Sequence, residues 1–396
     1  MNGKTLLFGL LCLLAAPTGA AQDPETRLLH ALSALQTQGV DAATDEMQAL
    51  LGDYPHFRLA HLVYGDLLLA RAGQARALGD PGLPGAADRE PILRGLQEEA
   101  RQRLRAQRDT AHKADIPLEL LQLGTKTQRA VLVEKARNRL YLFSRNEQGQ
   151  PPRLLADYYI SYGRSRGDKR AEGDLRTPEG VYFVNDHIPD AELVEKYGRG
   201  AYPIDYPNPL DRKLGKTGYG IWLHGVERDI YSRPPLASEG CVVLANSDLL
   251  ALGTLLQPGR TPVVIAERLH WADADTWRRE RDAALAAVRA WETDWESLDP
   301  GRYLSHYAKR FWAKGHDLRS WSTRKKRVFS RKTFQQVEIE DLNLLRYPGN
   351  AGDGRDVMVA SFDQRFRSNN YNSDDRKRIF WVREQGDWRV LYEGEG

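Results

Sequence analysis

The sequence predicts a multi-domain chain: an N-terminal α-helical module, a β-rich sandwich or barrel in the middle, and a C-terminal α+β domain. Three observations carry this. The chain has 396 residues, more than one hydrophobic core organises. Its apolar periodicity changes from three- and four-residue spacing before about residue 112 to short β-favouring runs between about 120 and 266. Its tryptophans crowd into the last third, at Trp271, Trp277, Trp291, Trp295, Trp312, Trp321, Trp381 and Trp388. Hydrophobic content of 41% and charged content of 28% suit a soluble globular protein. The net charge of +3 is too small to imply a strongly anionic partner.

Residues 1–21 read as a signal peptide. Lys4 precedes an uncharged run from Leu6 to Ala16, and Gly19, Ala20 and Ala21 suit a cleavage site. The run is shorter than the roughly 20 residues that span a bilayer, so a retained anchor is the weaker reading. An exported, periplasmic product is therefore expected. Cleavage would remove Cys12 and leave Cys241 as the one thiol. An odd cysteine in an oxidising compartment is a reactive group, an intermolecular bridge, or an inert core thiol.

Residues 22–118 form the helical module. Ala34, Ala43, Leu50, Pro55, Ala60, Tyr64 and Gly73 resemble a degenerate tetratricopeptide helix pair, and "EPILRGLQEEARQRLRAQRDTAHKA" is a charged amphipathic helix. Such a module either dimerises or binds a protein partner, or caps its neighbour.

Residues 119–268 are β-rich. "AVLVEKARNRLYLF" reads as a hairpin turning at "KARN"; "ADYYISYG", "GVYFVND", "GIWLHG" and "TPVVIA" supply further strands. Residues 269–396 open on the helix "DTWRRERDAALAAVRAWETDWESLD", followed by a second helix over "PGRYLSHYAKRFWA" and four strands. The basic cluster "RSWSTRKKRVFSRK" reads as a solvated turn and strand edge, where cations discourage edge pairing. Binding of nucleic acid there fits poorly with export.

Chemistry concentrates around Cys241. Thiol pKa falls beside a histidine or a helix N-terminus. His224 ends "GIWLHG", Gly225 lets the chain turn, and Cys241 lies in "SEGCVVLANSDLL" ahead of a helical stretch. If residues 226–239 fold back, imidazole and thiol meet, and the amides near Gly240 and Cys241 are available as an oxyanion hole. No cysteine–histidine cluster suits a metal, and no cofactor is implied.

These residues resemble the L,D-transpeptidase (YkuD-type) catalytic domain, whose signature is HG, a spacer, then S-x-G-C: here His224, Gly225, Ser238, Gly240 and Cys241. Thr177, Pro178, Gly180 and Tyr182 match a TP-x-G-x-Y/F strand, and "VEKARNRLYLF" is similar to the family's first hairpin. The resemblance implies Cys241 as nucleophile and His224 as base. Gly240, Ser238 and Gly225 stand as support, and Tyr182 and Tyr206 as substrate contacts. The implied substrate is a peptidoglycan stem peptide, cut between the L-centre of diaminopimelate and a terminal D-alanine. The thioester is then resolved by an amine in transpeptidation, the first reading, or by water in carboxypeptidation, the alternative. Val243 stands where most members carry arginine, which leaves donor and acceptor specificity open. The C-terminal segment resembles the cone-shaped nuclear-transport-factor-two-like domain appended to some of these enzymes, through Trp291, Trp295, "YLSHYAKRFW" and "GDWRVLYEG". In a subgroup that trims peptidoglycan in curved bacteria, this architecture accompanies L,D-carboxypeptidase activity and cell-shape control. A vestigial, non-catalytic cell-wall binder is the competing class.

Overall fold

A computed structural model describes residues 23–74, 78–79, 90–108, 115–147, 149–350 and 352–396. The expected leader, residues 1–21, lies outside them. The described residues fall into two compact units. One comprises residues up to Pro55 with those from Ala60 to 79; the other comprises His56–Leu59 with everything from Glu90 onward.

In the first unit, helix Pro24–Thr37 starts on the Asp23 side chain, which accepts from the Thr26 amide, and packs against helix Val40–Asp53. Small residues let the helices close on one another: Ala31, Ala34, Ala43 and Ala60 are fully buried beside Leu28, Met47 and Leu50. The helical module is thus not one body. Helix Glu90–Arg108 belongs to the second unit, because its inner face carries charges satisfied there. Arg103 pairs with Glu99 at 2.8 Å, both buried, and its guanidinium lies 3.9 Å from the Tyr159 ring centroid.

The β-rich region is a sandwich. One sheet runs, edge to edge, Arg153–Tyr159, Arg139–Ser144, Arg129–Glu134, Pro262–Ala266, Gly180–Phe183. The second runs Val242–Val243, Trp222–His224, Gly200–Pro203, Ile188–Pro189. The predicted hairpin turns at Lys135–Asn138, with Asn138 left-handed at φ 54°. Strand Arg129–Glu134 is a continuous apolar run because both its faces are buried. Val131 and Val133 join Leu223 and Val242 between the two sheets, while Ala130 and Leu132 face the C-terminal domain.

That domain is a seven-stranded sheet, in the order His316–Asp317, Tyr307–Ala313, Asp387–Glu395, Ser373–Glu384, Asp356–Ser368, Gln335–Asn350, Leu120–Gln122. Helix Ala274–Glu296 packs Trp277, Trp291 and Trp295 into the core formed with this sheet. Three sequence expectations are corrected. Leu120–Gln122, placed with residues 119–268, is an edge strand of the C-terminal sheet. The second helix stops at Ser305; Tyr307–Ala313 is a strand, held by pairing with Asp387–Glu395. The basic cluster is helix Leu318–Phe329, nucleated by an Asp317–Ser320 capping box and buried through Trp321 and Phe329. Arg319, Arg324, Lys326 and Arg327 line the exposed face of a helix instead of a strand edge, while Lys325 turns in among Trp295, Tyr303 and Trp321.

The two domains share a core in which Leu132, Val181 and Val264 meet Tyr347, Val359 and Phe380. Asp341 ties them together. Its fully buried carboxylate accepts from the Lys126 and Thr127 amides, and from Arg260 at 2.7 Å and Arg376 at 3.3 Å.

Candidate active site

The parallel pairing of Trp222–His224 with Val242–Val243, in the register Leu223 to Val242 and His224 to Val243, brings the two halves of the site together. A parallel pair needs a crossover, and residues 226–239 supply it. His224 and Cys241 consequently line one cavity of about 730 Å³.

The loop that carries Cys241 is fastened from inside. Ser238 Oγ accepts from the Gly240 amide at 3.1 Å and donates to the Cys241 carbonyl at 2.6 Å. Buried Thr177 donates to the Gly240 carbonyl at 2.9 Å and accepts from the Gly163 amide at 3.0 Å. Gly240 holds φ +134°, and a Cβ there would stand 2.9 Å from the Arg176 carbonyl oxygen, so only glycine fits. The expected pair of oxyanion amides is reduced to one. The Gly240 N–H is spent on Ser238, whereas the Cys241 N–H has no partner among the described residues.

His224 is oriented from the other side. Its Nδ1 lies 2.6 Å from the Gly225 carbonyl oxygen, which can only accept, so Nδ1 carries the proton and Nε2 keeps its lone pair. The Tyr197 ring meets the imidazole edge-on at 5.0 Å, and the Gly225 amide donates to the Tyr197 carbonyl. A Cβ on Gly225 would lie 2.1 Å from Asn246 Oδ1, which instead accepts from the Arg199 amide. The start of helix Asn246–Gly253 therefore secures the histidine turn and does not meet the thiol, contrary to the sequence expectation.

Protonation follows from burial. Desolvation pushes the Cys241 thiol up to about 11, against the Trp222 amide, Lys196 and Arg233, which favour the thiolate. Desolvation first, then Arg233 and Lys196, hold His224 down at about 3, with only the Gly225 carbonyl opposing. The resting pair is thus neutral thiol and neutral imidazole, not the preformed ion pair that the neighbouring histidine suggested. The thiol donates to the Gly220 carbonyl oxygen at 3.4 Å.

Of the residues singled out from sequence, Cys241, His224 and Ser238 line the cavity, and Gly240 and Gly225 shape its backbone. Tyr182 and Tyr206 do not line it. Tyr182 is fully buried in the sandwich core with its hydroxyl on the Glu179 carbonyl, and Tyr206 packs against it and bonds the Thr217 carbonyl. Both hydroxyls are consumed by backbone, so the expectation of substrate contact is withdrawn for both. Val243 is likewise buried, paired through its backbone with Ser161. Sequence reasoning gave no role to Tyr197 or Asn246, whose local patterns carry no signal. It named Thr177 only as a motif letter.

Residues 128–265 match the family model of the L,D-transpeptidase catalytic domain, and residues 283–394 match that of the Cds6 C-terminal NTF2-like domain. The chain therefore carries an L,D-transpeptidase catalytic domain followed by an NTF2-like domain. Among particular relatives, it is 30% identical over 106 residues to a protein of Escherichia coli (strain K12) named "Putative L,D-transpeptidase YafK", a match spanning 26% of this chain and 37% of that protein. The structure is similar to that of the helical cell shape determining protein Pgp2 from Campylobacter jejuni, with a TM-score of 0.58 and 27% identity over 70% of this chain and 95% of that one. Bd1075 of Bdellovibrio bacteriovorus shares the fold, with a TM-score of 0.62 and 24% identity over 71% of this chain and 98% of that one.

Proposed function

We propose that the protein is an exported, cysteine-dependent enzyme acting on diaminopimelate-containing peptidoglycan stem peptides, and that it releases the terminal D-residue with water as final acceptor. The observation that carries the reading is the convergence of Cys241 and of His224, with its lone pair on Nε2, on one cavity. His224 Nε2 takes the thiol proton as Sγ attacks the carbonyl carbon of the L-centre. The Cys241 amide donates to the oxyanion, worth on the order of a hundredfold in rate. The C–N bond then breaks, and the imidazolium proton passes to the departing amine. Water, deprotonated by the same imidazole, cleaves the thioester and restores the thiol.

Hydrolysis is favoured by the pairing of the catalytic domain with an NTF2-like domain, the architecture of the trimming subgroup, and by valine at position 243. Transpeptidation, with an amine as acceptor, is the second reading, favoured by the catalytic-domain match. A role in cell shape follows from the Pgp2 likeness. Mature protein incubated with diaminopimelate tetrapeptide muropeptides should give tripeptide by mass. Crosslinked dimers or exchanged terminal D-residues would move the assignment to transpeptidation. Full activity in Cys241→Ala would end both.

A further inference from the structure

With a buried valine at position 243 where a guanidinium would stand, the cavity must hold substrate anions by other means. Five cations line it: Arg58, Arg164, Lys169, Lys196 and Arg233. Two are already committed. Lys169 pairs with Asp174 at 2.8 Å, and Arg233 with Glu227 at 2.9 Å. Of the other three, Lys196 is built into the catalytic machinery. The Arg233 guanidinium clamps its carbonyl oxygen at 2.7 Å, and its ammonium lies 5.0 Å from the centroid of the Tyr197 ring. That same ring rests edge-on against His224. The Lys196 side chain is exposed, has no carboxylate partner among the described residues, and acts electrostatically on both His224 and Cys241.

Resting on the cysteine-enzyme reading above, we propose that Lys196 is the substrate-binding residue that receives a free α-carboxylate one residue beyond the scissile bond, restricting the enzyme to peptide ends. An uncompensated cation beside the reacting atoms attracts an anion brought by the substrate. A terminal residue carries its carboxylate on the carbon next to the leaving nitrogen, whereas an internal or amidated residue carries none there. Lysine suits the task, since a compact ammonium on a flexible stem follows the leaving residue without demanding bidentate geometry.

Binding separates this from the chemistry. Cys241→Ala protein, which cannot acylate, is titrated calorimetrically with a diaminopimelate tetrapeptide ending in free D-alanine and with its C-terminal carboxamide. The acid is expected to bind about 10- to 100-fold tighter than the amide. In Cys241→Ala/Lys196→Gln the two should bind alike, and in Cys241→Ala/Lys196→Arg the preference should return. An acid preference that survives Lys196→Gln, or no binding of either peptide, overturns the proposal. Turnover by wild type is scored separately: an inactive wild type whose Cys241→Ala form still prefers the acid defeats the enzyme reading and leaves the carboxylate site standing.

Discussion

The catalytic cavity and the C-terminal cone both bury ionisable groups among aromatic rings, yet only one has groups left over for chemistry. In the cone, the Tyr303 and Tyr307 hydroxyls bond one another, and Tyr307 reaches Glu393 at 2.7 Å. Lys325 lies 4.9, 5.0 and 4.5 Å from the centroids of Trp295, Tyr303 and Trp321. These hydroxyls and the Glu393 carboxylate satisfy one another and the Lys325 ammonium lies among rings, so the cluster rigidifies a core. In the cavity, by contrast, the imidazole Nε2 and the Cys241 amide have no hydrogen-bond partner among the described residues, and the Lys196 ammonium has no carboxylate there. Buried charge alone does not mark a site. What marks one is a buried group whose hydrogen-bonding capacity faces open volume.

The sharpest break of this contrast is in activity. Cys241→Ala and His224→Gln should each lower turnover by at least about 10⁴-fold, measured by tripeptide release, because nucleophile and base act as a unit. Tyr307→Phe in the cone should leave that rate within about threefold, since its hydroxyl is remote from the reacting atoms. A cone substitution with a catalytic-scale effect would erase the distinction.

Stability should show the reverse. Glu393→Ala removes the carboxylate that accepts from the Tyr307 hydroxyl, leaving it Tyr303 and Trp291, and is expected to cost about 1–3 kcal/mol, read as a fall in Tm by calorimetry, with Cys241 still able to react. Gly240→Ala lies between the two. The clash with the Arg176 carbonyl should shift the nucleophile loop and reduce kcat about 10- to 100-fold, with a smaller change in Tm.

Titration sharpens the comparison further. His224, held at about 3 in the folded chain against about 6.5 unfolded, refuses a proton that the unfolded chain accepts. Its contribution is therefore lost as pH falls from about 6.5 towards 3, and His224→Gln should flatten that part of the stability curve. Cys241 holds its proton to about 11, so alkylation by iodoacetamide should keep accelerating well above the ordinary thiol range of about 8.5. A plateau near pH 8 would show the thiolate to be preformed. The smallest effect is expected on helix Leu318–Phe329, where Lys326→Ala and Arg327→Ala on its exposed face should each change stability by less than about 0.5 kcal/mol.

Local pattern determined much of this molecule. Alternation and β-branched runs located the sandwich strands, the tryptophans set apart the C-terminal domain, and the order of His224, Ser238, Gly240 and Cys241 pointed to the candidate site. Such features are set by neighbours in the chain, through side-chain period, turn preference and the residue types a nucleophile loop requires. Tertiary structure alone decided the rest. Tyr307–Ala313 became a strand because Asp387–Glu395 pairs with it, and Leu120–Gln122 joined a sheet whose next strand lies over two hundred residues away. Packing buried Tyr182 and Tyr206, let Ser238 take the Gly240 amide, and kept the thiol protonated. Hydrogen-bond competition and desolvation depend on what arrives from distant parts of the chain, and one-dimensional spacing carries no record of it.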